Sequence, residues 1–194
     1  MKEKPIIFTG ESIKAIFDGR KTMTRRICKV DWKETGFHSY ETKFASVYNN
    51  CIWHTWDKDG VGGENSIGSS IEEAKHEAIK SAIKQGFLKS PYQVGDKLWV
   101  RESYHLHSVD DGCCSVIYAT PNDKHHYIDL NEQEEKDALR IMSADNSRLF
   151  VGYHPSIHMP KWATRLWLEV TKVRVERDET DGKWYFVYDF KRAK

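Results

Sequence analysis

The sequence predicts an α+β fold: a small, mostly antiparallel β-barrel with two or three flanking helices. Three observations predict it. The last third alternates apolar residues at strand period through Leu166, Leu168 and Val170, then ends in the aromatic run from Trp184 to Phe190. Helical periodicity behind a capping residue occurs in three stretches, opening at Thr9, Ser70 and Asn131. No internal repeat or low-complexity linker divides the 194 residues, of which 39% are hydrophobic and 12% aromatic. A single domain over 1–194, with an insertion at about 31–90, is therefore expected.

In chain order, Ile6-Ile7-Phe8 reads as a short buried strand. Thr9 caps a helix that carries Ile13, Ile16 and Phe17 on one face and stops at Gly19. Arg20 to Ile27 has the threonine-rich composition of a strand, and alternation places Arg20, Thr22, Thr24 and Arg26 on one face. Asp31 to about Ser69 is rich in Gly, Asn, Ser and aromatics without a clean period, which predicts an irregular or weakly paired segment. Ser70 and Glu73 form a capping-box pair ahead of Ile71, Ala74, Ala78 and Ala82, with Gly86 as the stop. Val94-Gly95-Asp96 turns into a strand through Glu102, with Leu98 and Val100 pointing one way and Trp99 and Arg101 the other. Ser115 to Ala119 is a further strand, and Asn131 with Glu134 caps an acidic helix reaching about Met142. Val173 and Val175 continue the final alternation one residue out of phase, which predicts a bulge near Thr171-Lys172 suited to a closing barrel.

Thirty Lys and Arg against 29 Asp and Glu leave a formal net charge of +1. Attraction to a polyanion must then come from a local basic patch, and small ligands fit better than long duplexes. Cys28, Cys51, Cys113 and Cys114 have neither a C-x-x-C pair nor zinc spacing, so no disulfide framework is signalled and a cytoplasmic location is expected. Apolar runs fall short of membrane length, which predicts no membrane association. The adjacent pairs His125-His126 and Cys113-Cys114 cannot each turn both side chains from a strand toward one ion, so neither a metal nor a cofactor is expected.

Three blocks carry a family resemblance. Gly19-Arg20-Lys21-Thr22-Met23-Thr24-Arg25-Arg26, behind a strand and short helix, resembles the signature of the ASCH family, whose fold is a PUA-like barrel. Gly95 to Glu102 and Pro155 to Ala163 resemble, in the same order, blocks of phage and prophage ASCH-like proteins. The resemblance implies a link to RNA metabolism, and some small bacterial members hydrolyse N(4)-acetylcytidine with a Lys, a Thr and a Glu. By position the Lys falls on Lys21 and the Thr on Thr24; Glu102 and Glu176 compete for the Glu. Arg20, Thr22, Arg25, Arg26, Arg101, Ser156 and His158 are the ligand-binding groups that accompany them.

Amide hydrolysis at an acylated cytosine needs a nucleophile, a base, an acid for the leaving amine and donors for the oxyanion. Thr24, Lys21, a Glu and the nearby arginines supply those types. Lys21 and Thr24 lie on opposite faces of an ideal strand, so they meet only if the chain turns or bulges between them, and Gly19 makes a turn reasonable. Trp162 and Trp167 are candidates for stacking on a base, although seven tryptophans in a small fold belong mostly to the core. The expected function is binding of RNA or a modified nucleoside, with amidohydrolysis of an N4-acylated cytidine as its enzymatic form. The alternatives are a non-catalytic RNA- or protein-interaction module of phage origin and an ASCH-type ribonuclease.

Overall fold

The computed structural model describes residues 1–28, 33–36, 39–42, 45–48, 51–55, 61–62, 70–84, 88–120, 124–147 and 152–193. In chain order the elements are β1 Glu3–Ile7, α1 Gly10–Phe17, β2 Met23–Ile27, β3 Lys33–Gly36, β4 Ser39–Thr42, β5 Ala45–Tyr48, β6 Cys51–Thr55, β7 Val61–Gly62 and α2 Ile71–Lys84. They continue with β8 Lys97–Arg101, β9 Tyr104–Asp110, β10 Cys113–Tyr118, β11 His125–Asp129, α3 Glu132–Ser147, β12 Trp167–Arg177 and β13 Trp184–Ala193. The strand orders are β1-β8-β12-β13-β2, β11-β10-β9 and β3-β4-β5-β6-β7. The class is α+β: among the described residues three α-helices accompany mostly antiparallel sheets, two of them open, and closure into a barrel is not shown.

Two compact units are assembled from separate segments. The first holds Met1–Met23, Val94–Thr171 and Asp189–Lys194; the second holds Thr24–Gln93 and Lys172–Tyr188.

In the first unit, β1 runs parallel to β8 with Ile6 opposite Val100, and β12 runs antiparallel to β8 with Leu168 opposite Leu98. The Thr9 hydroxyl accepts from the Ser12 amide at 3.3 Å, and α1 buries Ile13 and Ile16 as its period predicts. Leu98, Trp99 and Val100 are all buried, so β8 is covered on both faces; the Arg101 guanidinium lies 4.5 Å from the Trp99 ring centre. A second cluster joins β9 and β10 to α3 through Tyr104, Leu106, Cys114, Val116, Tyr118 and Ala138. α3 opens on a reciprocal capping box: the Glu134 amide donates to the Asn131 side chain and the Asn131 amide to the Glu134 carboxylate, each at 3.1 Å. β9 and β11 are strands that the sequence reading omits, because their histidines and charges hide the alternation.

In the second unit, residues read as an irregular insertion form an antiparallel meander, β3 to β7, in which each strand pairs with the next. Those strands have two to five residues, too few for a period of two to stand out. α2 follows the prediction: the Glu73 amide donates to the Ser70 hydroxyl at 3.2 Å, and Ala74, Ala78, Ile79 and Ala82 are buried. Trp184 of β13 is buried, and Phe186, Val187 and Tyr188 are buried in succession, the mark of a strand covered on both faces there. In β12 the alternation of buried residues ends at Val170; Thr171 and Lys172 are both exposed, and Val173 to Glu176 are all half-buried. Gly86 lies outside the described residues.

Candidate functional site

The Gly19–Arg26 run starts as a helix stop. Gly19 adopts φ +72°, its amide donates to the Ile16 carbonyl at 3.1 Å, and the Arg20 amide donates to Ala15 at 2.8 Å, which together make a Schellman motif. The Lys21 amide also donates to the Ala15 carbonyl, at 3.0 Å. The strand therefore begins at Met23, not at Arg20, and only Thr24 and Arg26 of the four residues expected on one face share it. The physical reason is that the backbone donors of residues 19–21 are used to close the helix and are unavailable to a ladder.

These side chains fall into different settings. In the first unit Arg20 is 63% exposed and pairs with Asp18 at 2.8 Å, Thr22 is exposed, and Lys21 is half-buried. In the second unit Thr24 is 5% exposed and Arg25 and Arg26 are half-buried. Arg25 Nη1 donates to Asp178 at 2.7 Å, and its guanidinium lies 4.6 Å from the Tyr185 ring centre. Tyr185 donates to Asp181 at 2.6 Å, so Arg25 holds the acidic turn between β12 and β13. Hydrogen bonds from the Thr180 hydroxyl and amide, followed by the one from Arg25, hold the Asp178 carboxyl down at about 2. A lowered carboxylate stabilises the fold above its unfolded pKa and loses that contribution as pH falls through the folded one. Acid unfolding is thus expected to steepen between about pH 4 and pH 2. Asp178→Asn should remove that segment of the stability-versus-pH curve; an unchanged curve would mean the turn is held some other way.

Glu102 is the one sequence-predicted carboxylate that the fold buries, at 2% exposure, and it comes with an unpredicted partner. Arg165, 13% exposed, donates from Nε to Glu102 Oε1 at 2.9 Å and from Nη2 to Oε2 at 2.7 Å. Its Nη2 also reaches the Thr120 carbonyl, and its Nη1 lies 3.1 Å from His126 Nε2. Guanidinium nitrogens only donate, so His126 Nε2 accepts and its proton sits on Nδ1. The guanidinium lies 4.2 Å from the Tyr118 ring centre and 5.1 Å from that of Phe17. Burial pushes the Glu102 carboxyl up, while the hydrogen bond and charge of Arg165 pull the other way. Burial first, then the Arg165 charge, lowers His126. Tyr118 is pushed well up by burial and by the Glu102 charge, and its hydroxyl donates to the Ala163 carbonyl at 2.6 Å.

This is a charge-assisted, bidentate centre with both carboxylate oxygens engaged. Sequence reasoning missed Arg165, Tyr118 and His126. The available signal was indirect: a glutamate ending an apolar strand needs a cation, and an arginine follows the proline-rich block.

No family model, no curated protein and no solved structure matches this chain.

The remaining candidates separate further. Arg101 Nη1 donates to the Ile157 carbonyl at 3.2 Å, which joins it to the turn holding Ser156 and His158; that turn is also tied by Tyr104, whose hydroxyl donates to the His158 carbonyl at 3.2 Å. Glu176, in the second unit, pairs with Arg174. A cavity of about 300 Å³ in the first unit is lined by Glu3, Lys97, Trp167 and Ala193, so of the sequence candidates for ligand contact it takes in Trp167 alone. Among the described residues no three His, Cys, Asp or Glu side chains gather as a metal cluster, and no helix is long and apolar enough to cross a membrane.

Proposed function

We propose that this chain is an ASCH-like protein that binds an RNA base or a modified nucleoside such as N(4)-acetylcytidine through its Gly19–Arg26 run, its antiparallel strands being those of a PUA-like barrel. The observation that supports this reading is the composition and setting of that run. Within six residues of a Schellman turn it carries a half-buried lysine, a buried threonine and two half-buried arginines, of which Arg25 is engaged by Asp178. Ammonium, hydroxyl and guanidinium groups suit the carbonyl and ring-nitrogen acceptors of an unstacked base, and a net charge of +1 suits a small ligand better than a duplex.

Binding without turnover is the reading favoured over hydrolysis, because each carboxylate that the resemblance offers as the catalytic acid is already ion-paired, Glu102 with Arg165 and Glu176 with Arg174. Calorimetric titration with N(4)-acetylcytidine, cytidine and a short single-stranded RNA is the test. At least one of them is expected to bind, with affinity reduced roughly ten-fold or more by Lys21→Ala and by Thr24→Ala, equivalent to about 1.4 kcal/mol each. Chromatography of the same mixtures reads turnover: release of cytidine would reinstate the amidohydrolase form, and cleaved RNA the ribonuclease form. Failure of the whole panel to bind, or binding that both substitutions leave intact, sinks the assignment of this run.

A further inference from the structure

The β11-β10-β9 sheet carries a feature that the nucleoside reading does not use. The pairing of β10 with β9 shifts register between Ser115 and Val116: Ser115 faces Ser108, while Val116 faces Leu106. His107 is the extra residue of that β-bulge, and bulges re-aim the side chain they displace. Here His107 is directed onto His125 of β11, two strands away, with ring centroids 4.5 Å apart and planes at 87°. Both histidines are exposed. The strand between them contributes Ser115, small and buried, whose hydroxyl lies 2.8 Å from His125 Nδ1.

We propose that His107 and His125 form a two-nitrogen chelate for a late first-row divalent cation, with Zn²⁺, Ni²⁺ and Cu²⁺ as the class. Three features of the sheet support it. The first is spacing: two imidazoles on one ion, each nitrogen about 2.0–2.1 Å from it, place their ring centroids roughly 4.5 Å apart at a right angle and roughly 5.2 Å apart at the tetrahedral angle. The observed separation falls at the near end of that range. The second is orientation of the ligand: in the tautomer whose Nδ1–H donates to the Ser115 hydroxyl, His125 keeps Nε2 for the ion, and a hydrogen bond on the far nitrogen is what fixes the tautomer of metal-bound histidines. Tyr127 adds to this by stacking on His125 at 22° and 6.4 Å. The third is local charge: Asp110 and Asp129, both exposed, are the register partners of Cys113, which shares the face of Ser115 two residues along β10. Four residues along β11 from His125 and three along β9 from His107, these carboxylates lie outside ligating reach and favour a cation only through the field of the sheet. Two protein ligands leave the other positions to water, so the site is open to exchange, and imidazole nitrogen selects late transition metals over Mg²⁺ or Ca²⁺.

The test is calorimetric titration of the full, untagged chain with NiCl₂ and ZnCl₂ at pH 7.5. One cation per chain is expected, with affinity reduced ten-fold or more by His107→Ala and by His125→Ala, and several-fold by Ser115→Ala at unchanged stoichiometry. Substoichiometric Cu²⁺ should broaden the imidazole proton resonances of His107 and His125 before those of the other histidines. Thermal melts of the variants at wild-type temperature show that loss of uptake is not loss of fold. No uptake, or uptake that both histidine substitutions leave unchanged, overturns the proposal and leaves the pair as an aromatic contact.

Discussion

Replacing Arg165 by alanine is expected to destabilise the first unit by about 3–5 kcal/mol, because it leaves a buried carboxylate without its counter-charge. Glu102 is the more deeply buried partner, and it loses two charge-assisted hydrogen bonds at once. The Tyr118 and Phe17 rings lose the guanidinium that covers them as well. The double variant Glu102→Leu with Arg165→Met should recover most of that loss, since apolar replacements of similar volume carry no desolvation penalty. Urea denaturation followed by circular dichroism separates the three proteins. Glu102 also sets a sign for pH: its folded pKa is raised, so its contribution is full below its unfolded value of about 4.5 and is lost as pH rises through the folded one. The double variant should lack that decline. A single Arg165→Ala change that moves stability by less than about 1 kcal/mol would show that water reaches the carboxylate.

Much of the fold is legible in the sequence wherever one local signal and one face of burial agree. α1, α2 and α3 each have a polar cap and a periodic apolar stripe, and each forms with the predicted cap; β8, β12 and β13 are apolar enough to mark themselves. What stays hidden lacks one of the two signals. β11, with exposed and half-buried residues in alternation, has no buried face to mark it and goes unassigned in the sequence, and the meander strands are too short to establish a period. The entry to β2 is misplaced by three residues for a different reason: threonine composition argues for a strand at Arg20, but the Gly19 Schellman turn commits the next amides to the helix.

The candidate groups were harder to read, because charges meet across distant chain segments. Glu102 is visible in its block, yet its partner Arg165 lies 63 positions away, and nothing in the local pattern around either residue links them. Arg25 and Asp178, 153 positions apart, show the same limit. The histidine pair of β9 and β11 adds a further obstacle: adjacent residues such as His125-His126 diverge on a strand, whereas His107 and His125 converge only because a bulge and an intervening strand bring them together.

Trp184→Ala should match the Arg165 change in size, at about 3–5 kcal/mol, but through a cavity in the second unit and not through an uncompensated charge. Trp184 is buried on β13, its carbonyl accepts from the Cys28 amide at 2.8 Å, and its ring lies 5.0 Å from that of His76 on α2. His76 makes the change readable twice. Burial first, then the Lys80 charge, lowers its pKa, so it stabilises the fold above its unfolded value of about 6.5 and gives up that contribution as pH falls through the folded one. Removing the indole lets water onto His76, so its pKa should rise back and the decline of stability below about pH 6.5 should flatten. Lys80→Ala is the control: Lys80 is exposed and pairs with Glu77 at 2.7 Å, so its removal should raise the His76 pKa while leaving the core filled. A histidine titration by NMR beside chemical denaturation distinguishes the two outcomes. If Trp184→Ala costs several kcal/mol without moving His76, the indole fills the core but does not shield that imidazole from water.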